Sequence, residues 1–158
     1  MHESRRWPWF AMALLIIVLD QLAKLYFNGT YQYGESRAVI PGLFSFTLIY
    51  NPGAAFSFLA DAGGWQKHLF SVLAFAVSGW LGWNLLQGRF SCLMRWAAAF
   101  IMGGALGNVI DRMVYGHVVD FIQIYYRHWY YPAFNLADSF ICVGAALMVL
   151  DSLKKPAR

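Results

Sequence analysis

The sequence predicts an all-α membrane bundle: four transmembrane helices with a small β platform on the outer face. Three observations predict it. Of 158 residues, 59% are hydrophobic and only 13% are charged, against about 25% charged in an ordinary soluble domain. A soluble globule of that make-up would expose large apolar patches to water, and a chain so rich in apolar residues is not disordered. The apolar residues gather into four runs, each close to the ~20 residues that cross a hydrocarbon core of roughly 30 Å. Two β-branched, aromatic segments lie outside those runs. Four spans use about half of the chain, so residues 1–158 are expected to form one integral membrane domain.

The first span runs from Trp7 to about Tyr26, after the basic start His2-Glu3-Ser4-Arg5-Arg6. It has the basic start of a secretory signal peptide, but it ends in Asp20-Gln21-Leu22-Ala23-Lys24 without a small-residue cleavage site before the polar block. It reads as a retained helix. The second runs from about Trp65 to Leu86, the third from about Met94 to Ile110 and the fourth from about Phe134 to Leu150. An even number of spans puts both termini on one side, together with the short middle loop. That side carries Arg5, Arg6, Arg89, Arg95, Lys154, Lys155 and Arg158 against only Glu3 and Asp151. The other side carries five basic residues against six acids, so the termini are expected in the cytoplasm and residues about 27–64 and 111–133 outside it.

Within those outer segments, Leu43 to Tyr50 follows a Pro41-Gly42 turn and reads as a strand, as does Val118 to Tyr125. Trp65 and Trp129-Tyr130-Tyr131 fit an interfacial aromatic belt. The net charge of +4 has no basic cluster behind it, which argues against a nucleic-acid partner. Cys92 and Cys142 stand far apart without ligand spacing and read as free thiols. The four histidines form no ligand grouping, so no metal site is expected. No G-x-S-x-G motif supports serine catalysis.

The scarce polar residues of the spans carry the functional signal, because a carboxylate at the bilayer centre costs on the order of 3 kcal/mol on insertion scales. Asp20 and Lys24, four apart on one helix, read as an ion pair, with Lys24 free to snorkel to the interface. Gly103 and Gly107 form a small-residue packing face. Asn108, Asp111 and Arg112 make a polar corner where the third span leaves the membrane, and Asp111 beside Arg112 is expected to stay ionised. Asp120 and Asp138 differ: neither has a cation adjacent in sequence, and they flank the outer end of the fourth span. Two such acids at one depth suit a dyad sharing one proton, one activating water and the other protonating the carbonyl or leaving amine. Spacing alone leaves a proton or ion pathway equally open.

The chain also resembles the bacterial lipoprotein signal peptidases (signal peptidase II) over essentially its whole length. Five motifs carry the resemblance in order: Asp20-Gln21-Leu22-Ala23-Lys24, Asn51-Pro52-Gly53-Ala54-Ala55-Phe56-Ser57, Gly103 to Asn108 with Asp111-Arg112, Val118-Val119-Asp120-Phe121, and Phe134-Asn135-Leu136-Ala137-Asp138. The resemblance implies a cofactor-free aspartic endopeptidase of the inner membrane. It would cut prolipoproteins just before the lipid-modified cysteine, at the periplasmic face. It implies Asp120 and Asp138 as the catalytic pair. Asn51, Asn108, Arg112 and Asn135 would position substrate and pair, with Asp20, Lys24 and Asp111 in support. Lipid-modified prolipoproteins and membrane lipids are the implied partners, with binding of cyclic peptide inhibitors of the globomycin type, in a monomer. Ala23 stands where the family usually has Ser or Thr, and Pro52 where Thr is common. The apolar segment from Leu43 to Phe58 is expected to lie over the lipid and limit water.

Overall fold

The computed structural model describes residues 6–53 and 64–154. Within them the order is α1 (Trp7–Thr30), β1 (Ser36–Ile40), β2 (Phe44–Asn51), α2 (Gln66–Leu86), α3 (Cys92–Val114), β3 (Val118–Tyr126), β4 (Trp129–Tyr130) and α4 (Leu136–Lys154). All four helices are long and apolar enough to span a membrane. The first, third and fourth continue past the apolar runs by about a turn, to Thr30, Val114 and Lys154. The third continues through Asn108, Asp111 and Arg112 to Val114, so the polar corner is built on the last turns of the helix itself.

The helices start where the chain can begin them. Proline in the first turn of α1 needs no intrahelical hydrogen-bond partner. Ser91 caps α3 by accepting from the Met94 N–H at 3.1 Å. The same hydroxyl bonds the Asp151 carboxylate and ties the start of α3 to the end of α4.

α3 is the central post. It packs on α1, α2 and α4, and α1 also touches α4. Close approach depends on missing Cβ atoms. A Cβ on Gly103 would come within 2.8 Å of the Ile16 side chain, and one on Gly144 within 2.7 Å of Ile101. One on Gly104 would collide with the Ala137 carbonyl. Outward faces are apolar, with Leu14, Leu22, Val72, Trp83 and Val149 all exposed, as lipid requires.

Beyond the spans, four antiparallel strands form one sheet in the order β1-β2-β3-β4. β1 and β4 are additions to the two strands visible in the sequence. Phe27, near the C-terminal end of α1, seats the sheet: it stacks on Phe121 at 4.3 Å and meets Phe46 at 5.0 Å. Leu48 and Val119 complete that cluster, and Ala23 packs against it. The methyl at position 23 thus contributes apolar packing where a hydroxyl is usual. Pro52 is exposed. Ala54 to Phe58, the rest of the proposed platform and of the loop motif, lies outside the described residues.

Candidate active site

The site forms where the C-terminal ends of α1 and α3 and the N-terminal end of α4 meet β2 and β3. β2 and β3 pair with Asn51 opposite Val118, which makes Asp120 the diagonal neighbour of Asn51 on the same face. A bulge between Phe46 and Ile49 sets this register. Asn51 Nδ2 accordingly donates to Asp120 Oδ2 at 3.2 Å.

Asp138 comes from the first turn of α4. Asn135, just before that helix, accepts the Asp138 N–H on its side-chain oxygen at 2.8 Å, and its own N–H donates to Asp138 Oδ2 at 3.3 Å. This is a reciprocal capping box with Asp in the place of the usual Glu. The Asn135 side-chain Nδ2 reaches further, to Asp120 Oδ1 at 2.8 Å and to Asn108 Oδ1 at 3.1 Å. Asn108 Nδ2 then donates to Asp138 Oδ1 at 2.8 Å. Two asparagine amides therefore tie the two carboxyls into one network.

Behind this network sits a buried ionic cluster. Lys24, 1% exposed, donates to Asp20 at 2.7 Å, to Asp111 at 2.8 Å and to Asn108 Oδ1 at 2.9 Å. It does not snorkel; it points inward. The cation that pairs with Asp111 is Lys24 and not the adjacent Arg112, because successive residues of a helix face different directions. Asp20 also accepts the Ala137 N–H at 2.9 Å, and Asp111 accepts the Val119 N–H at 3.0 Å. The cluster thus holds the backbones that carry Asp138 and Asp120.

Arg112 turns the other way. It donates to the Gly53 carbonyl at 3.0 Å and to the Asn108 carbonyl at 3.3 Å, with its guanidinium 5.5 Å from the Phe70 ring. It lines a cavity of about 440 Å³ with Asn108 and Asp138 at one end and Leu73, Val77 and Cys142 along its apolar wall. Those last three side chains are exposed, so the cavity opens on the flank of the bundle, between α2 and α4.

The two acids are not equivalent. Asp120 is 1% exposed, whereas Asp138 is half-buried and borders the cavity. Burial, and then the neighbouring Asp138 charge, push the Asp120 carboxyl up to about 8. Every candidate site residue from the sequence lies in this assembly or in its supporting cluster. Sequence reasoning gave no role to Gln21, which donates to Asp111 at 2.8 Å and to the Gly107 carbonyl at 3.1 Å. Its spacing from Lys24, three residues along one helix, was the signal. Among the described residues no group of three or more His, Cys, Asp or Glu could hold a metal ion. Cys92 and Cys142 are free thiols.

Comparison with known proteins follows the geometry. The family profile for signal peptidase (SPase) II matches residues 12–154. A lipoprotein signal peptidase of Chromobacterium violaceum is 74% identical over 100% of this chain and 99% of its own length. One from Neisseria meningitidis serogroup C is 57% identical over 95% of this chain and 92% of its own. A solved bacterial membrane enzyme superposes with a TM-score of 0.82 at 29% identity, covering 96% of this chain and 93% of that one. A second does so with a TM-score of 0.78 at 30% identity, covering 94% of each.

Proposed function

Because the chain belongs to the signal peptidase II family, an aspartic peptidase family that removes signal peptides from prolipoproteins, we propose that Asp120 and Asp138 are its catalytic pair. One observation carries this assignment: the Asn135 and Asn108 amides bind both carboxyls into one network, with Asp138 and Asn108 lining a cavity. Membership of a peptidase family also decides between hydrolysis and the proton pathway that spacing alone left open.

The different burial of the two acids suggests their roles. Asp138 borders the cavity, receives two N–H donors and is the carboxylate that takes a proton from water. Asp120, 1% exposed in the free protein and with a raised affinity for its proton, is the acid, and bound substrate displaces the Asn51 amide from its Oδ2 to receive that proton. The water oxygen adds to the scissile carbonyl carbon while Asp120 protonates the carbonyl oxygen, which gives a neutral gem-diol. The nitrogen then takes the proton held by Asp138 as the C–N bond breaks, and a diol hydroxyl returns a proton to Asp120. Peptide and water become acid and amine, and the pair ends as it began.

Substrate contact falls to Arg112, Asn108 and Asn51. An extended segment at membrane depth must find protein partners for its backbone groups. Asparagines offer donor and acceptor together, and Arg112 offers donors in a fixed fork. The exposed apolar flank suits the signal peptide's own helix and the acyl chains of a diacylated cysteine, with cleavage just before that cysteine. The basic bias of the termini and middle loop supports a bacterial inner membrane, cytoplasmic termini and a periplasmic site. All members of the site come from a single chain, which supports a working monomer. A cyclic peptide inhibitor of the globomycin type would compete for the same cavity.

The test is cleavage of a diacylated prolipoprotein by purified protein in detergent. Asp120→Asn and Asp138→Asn should each lower kcat by about 10³-fold or more while the fold persists. Near wild-type cleavage by either variant would remove that residue from the pair.

A further inference from the structure

Lys24 has more partners than a structural ion pair needs. Its ammonium has three hydrogens, and three acceptors meet them: Asp20 Oδ2, Asp111 Oδ2 and Asn108 Oδ1. The two carboxylates already supply more than its counter-charge and account for its burial. The third bond does something else. An amide can present either its oxygen or its nitrogen to a neighbour, but an ammonium accepts nothing. Only the oxygen of Asn108 can therefore face Lys24, and the Asn108 NH₂ must point away, onto Asp138 Oδ1 at 2.8 Å. Asn135 Nδ2 donates to the same Asn108 oxygen and to Asp120 Oδ1. Hydrogens thus run in one direction, from the buried cation through Asn108 to the carboxylate at the cavity.

We propose that Lys24 is a positioning residue of the peptidase reaction: it locks the Asn108 amide with its NH₂ on Asp138 and so holds that carboxylate ionised and oriented to take the proton of water. The proposal rests on Asp120 and Asp138 being the catalytic pair. Without Lys24, only the shared Asn135 Nδ2 contact at 3.1 Å opposes a turn of the Asn108 oxygen toward Asp138, where it is favourable only when Asp138 carries a proton. The shared proton of the pair would then settle on the wrong acid. The charged groups around Asp138 that enter this balance are Asp120 from β3, Asp111 and Arg112 from α3, and Asp20 and Lys24 from α1.

Two variants test it in the full chain, with a synthetic diacylated prolipoprotein peptide as substrate. Lys24→Met combined with Asp111→Asn removes the lock but keeps the net charge of the cluster, and is compared with Asp111→Asn alone. Asn108→Asp keeps Lys24 and its ion pairs but places an oxygen where the NH₂ meets Asp138. Each should lower kcat at least ten-fold and move the acidic limb of the pH–kcat profile upward by about one unit; the double variant, which keeps Asn108, should also leave KM within about three-fold of that of Asp111→Asn. A merely structural Lys24 would change the melting temperature and the yield but not the position of that limb. If the double variant fails to fold, Lys24→Met with Asp20→Asn, the same charge-neutral exchange at the other carboxylate, takes its place and is compared with Asp20→Asn alone. An unmoved acidic limb in the folded variants would overturn the proposal while leaving the pair intact. Near wild-type cleavage by Asp120→Asn or Asp138→Asn would instead sink the reading beneath it.

Discussion

Asn135 touches Asp120 with its side-chain amide at 2.8 Å, and with its own backbone N–H and side-chain oxygen it caps the helix turn that carries Asp138. One residue therefore fixes the spacing of a strand acid and a helix acid. Asn135→Ala should cost about 1 kcal/mol through loss of the cap. The loss in kcat should be much larger, about 10²-fold or more, because both carboxyls lose a restraint. Asn135→Asp keeps a capping oxygen but adds a third acid, so it should recover much of the stability and little of the activity. Thermal unfolding and peptide cleavage, measured on the same preparations, separate the two effects.

The pH dependence follows from Asp120. Its carboxyl is raised from the ordinary 3.8 to about 8 in the fold. The folded state holds the proton more tightly than the unfolded chain does. The stability this contributes is full below about pH 4 and is lost as pH rises through about 8. As the acid of the pair, it should also set the alkaline limb, with kcat/KM falling about ten-fold per unit above that point. Asp120→Asn should abolish the alkaline loss of stability. An unfolding series in detergent from pH 5 to about pH 9.5 checks this; equal alkaline loss in wild type and variant would contradict it.

Two glycines of similar standing in the sequence should behave differently. Gly104→Ala drives a methyl into the Ala137 carbonyl and Ile141, whereas Gly79 has nothing within 4 Å of an added Cβ. The first substitution should destabilise the bundle by about 2 kcal/mol or more through overpacking between α3 and α4. Gly79→Ala should be neutral or slightly stabilising. Melting temperatures of the two variants suffice to decide.

Phe27 links the spans to the sheet. Phe27→Ala removes the ring that stacks on Phe121 and should cost about 3–5 kcal/mol. Cleavage should fall with it even in the folded fraction, since Asp120 sits one residue from Phe121. Activity per folded molecule, with folding read from tryptophan fluorescence, is the measurement.

A chelator should leave cleavage unchanged, since the chemistry assigned to the pair needs only water and two carboxyls. Inhibition by EDTA that zinc reverses would contradict that mechanism.

The four spans were legible because the bilayer demands about 20 apolar residues in a row, and few other constraints write themselves so directly into a sequence. The strands of Phe44 to Asn51 and Val118 to Tyr126 were legible from their β-branched and aromatic residues. β1 was not, because Ser36 to Ile40 is exposed throughout and carries no alternation. Asp120 and Asp138 stood out as acids with no cation adjacent in sequence. Their convergence was not readable, since it depends on a bulge in β2–β3 pairing and on the cap at Asn135. Nor was the true partner of Asp111 readable: the nearest cation in sequence points along another direction of the same helix, and the real one comes from α1.

α2 packs on α3, and the space between α2 and α4 is the open flank of the cavity. If Asp120 and Asp138 react as proposed, their centre is reached from the side of the bundle, between two apolar helices. A substrate that is itself anchored in the bilayer can arrive without leaving it. The search is then two-dimensional, and the encounter rate is governed by molecules per unit area of membrane, lipid viscosity and lateral crowding. In micelles the encounter also depends on the exchange of substrate between micelles, which enters kcat/KM and not kcat. Turnover in vesicles should scale with the protein-to-lipid ratio and be indifferent to the volume of buffer around them.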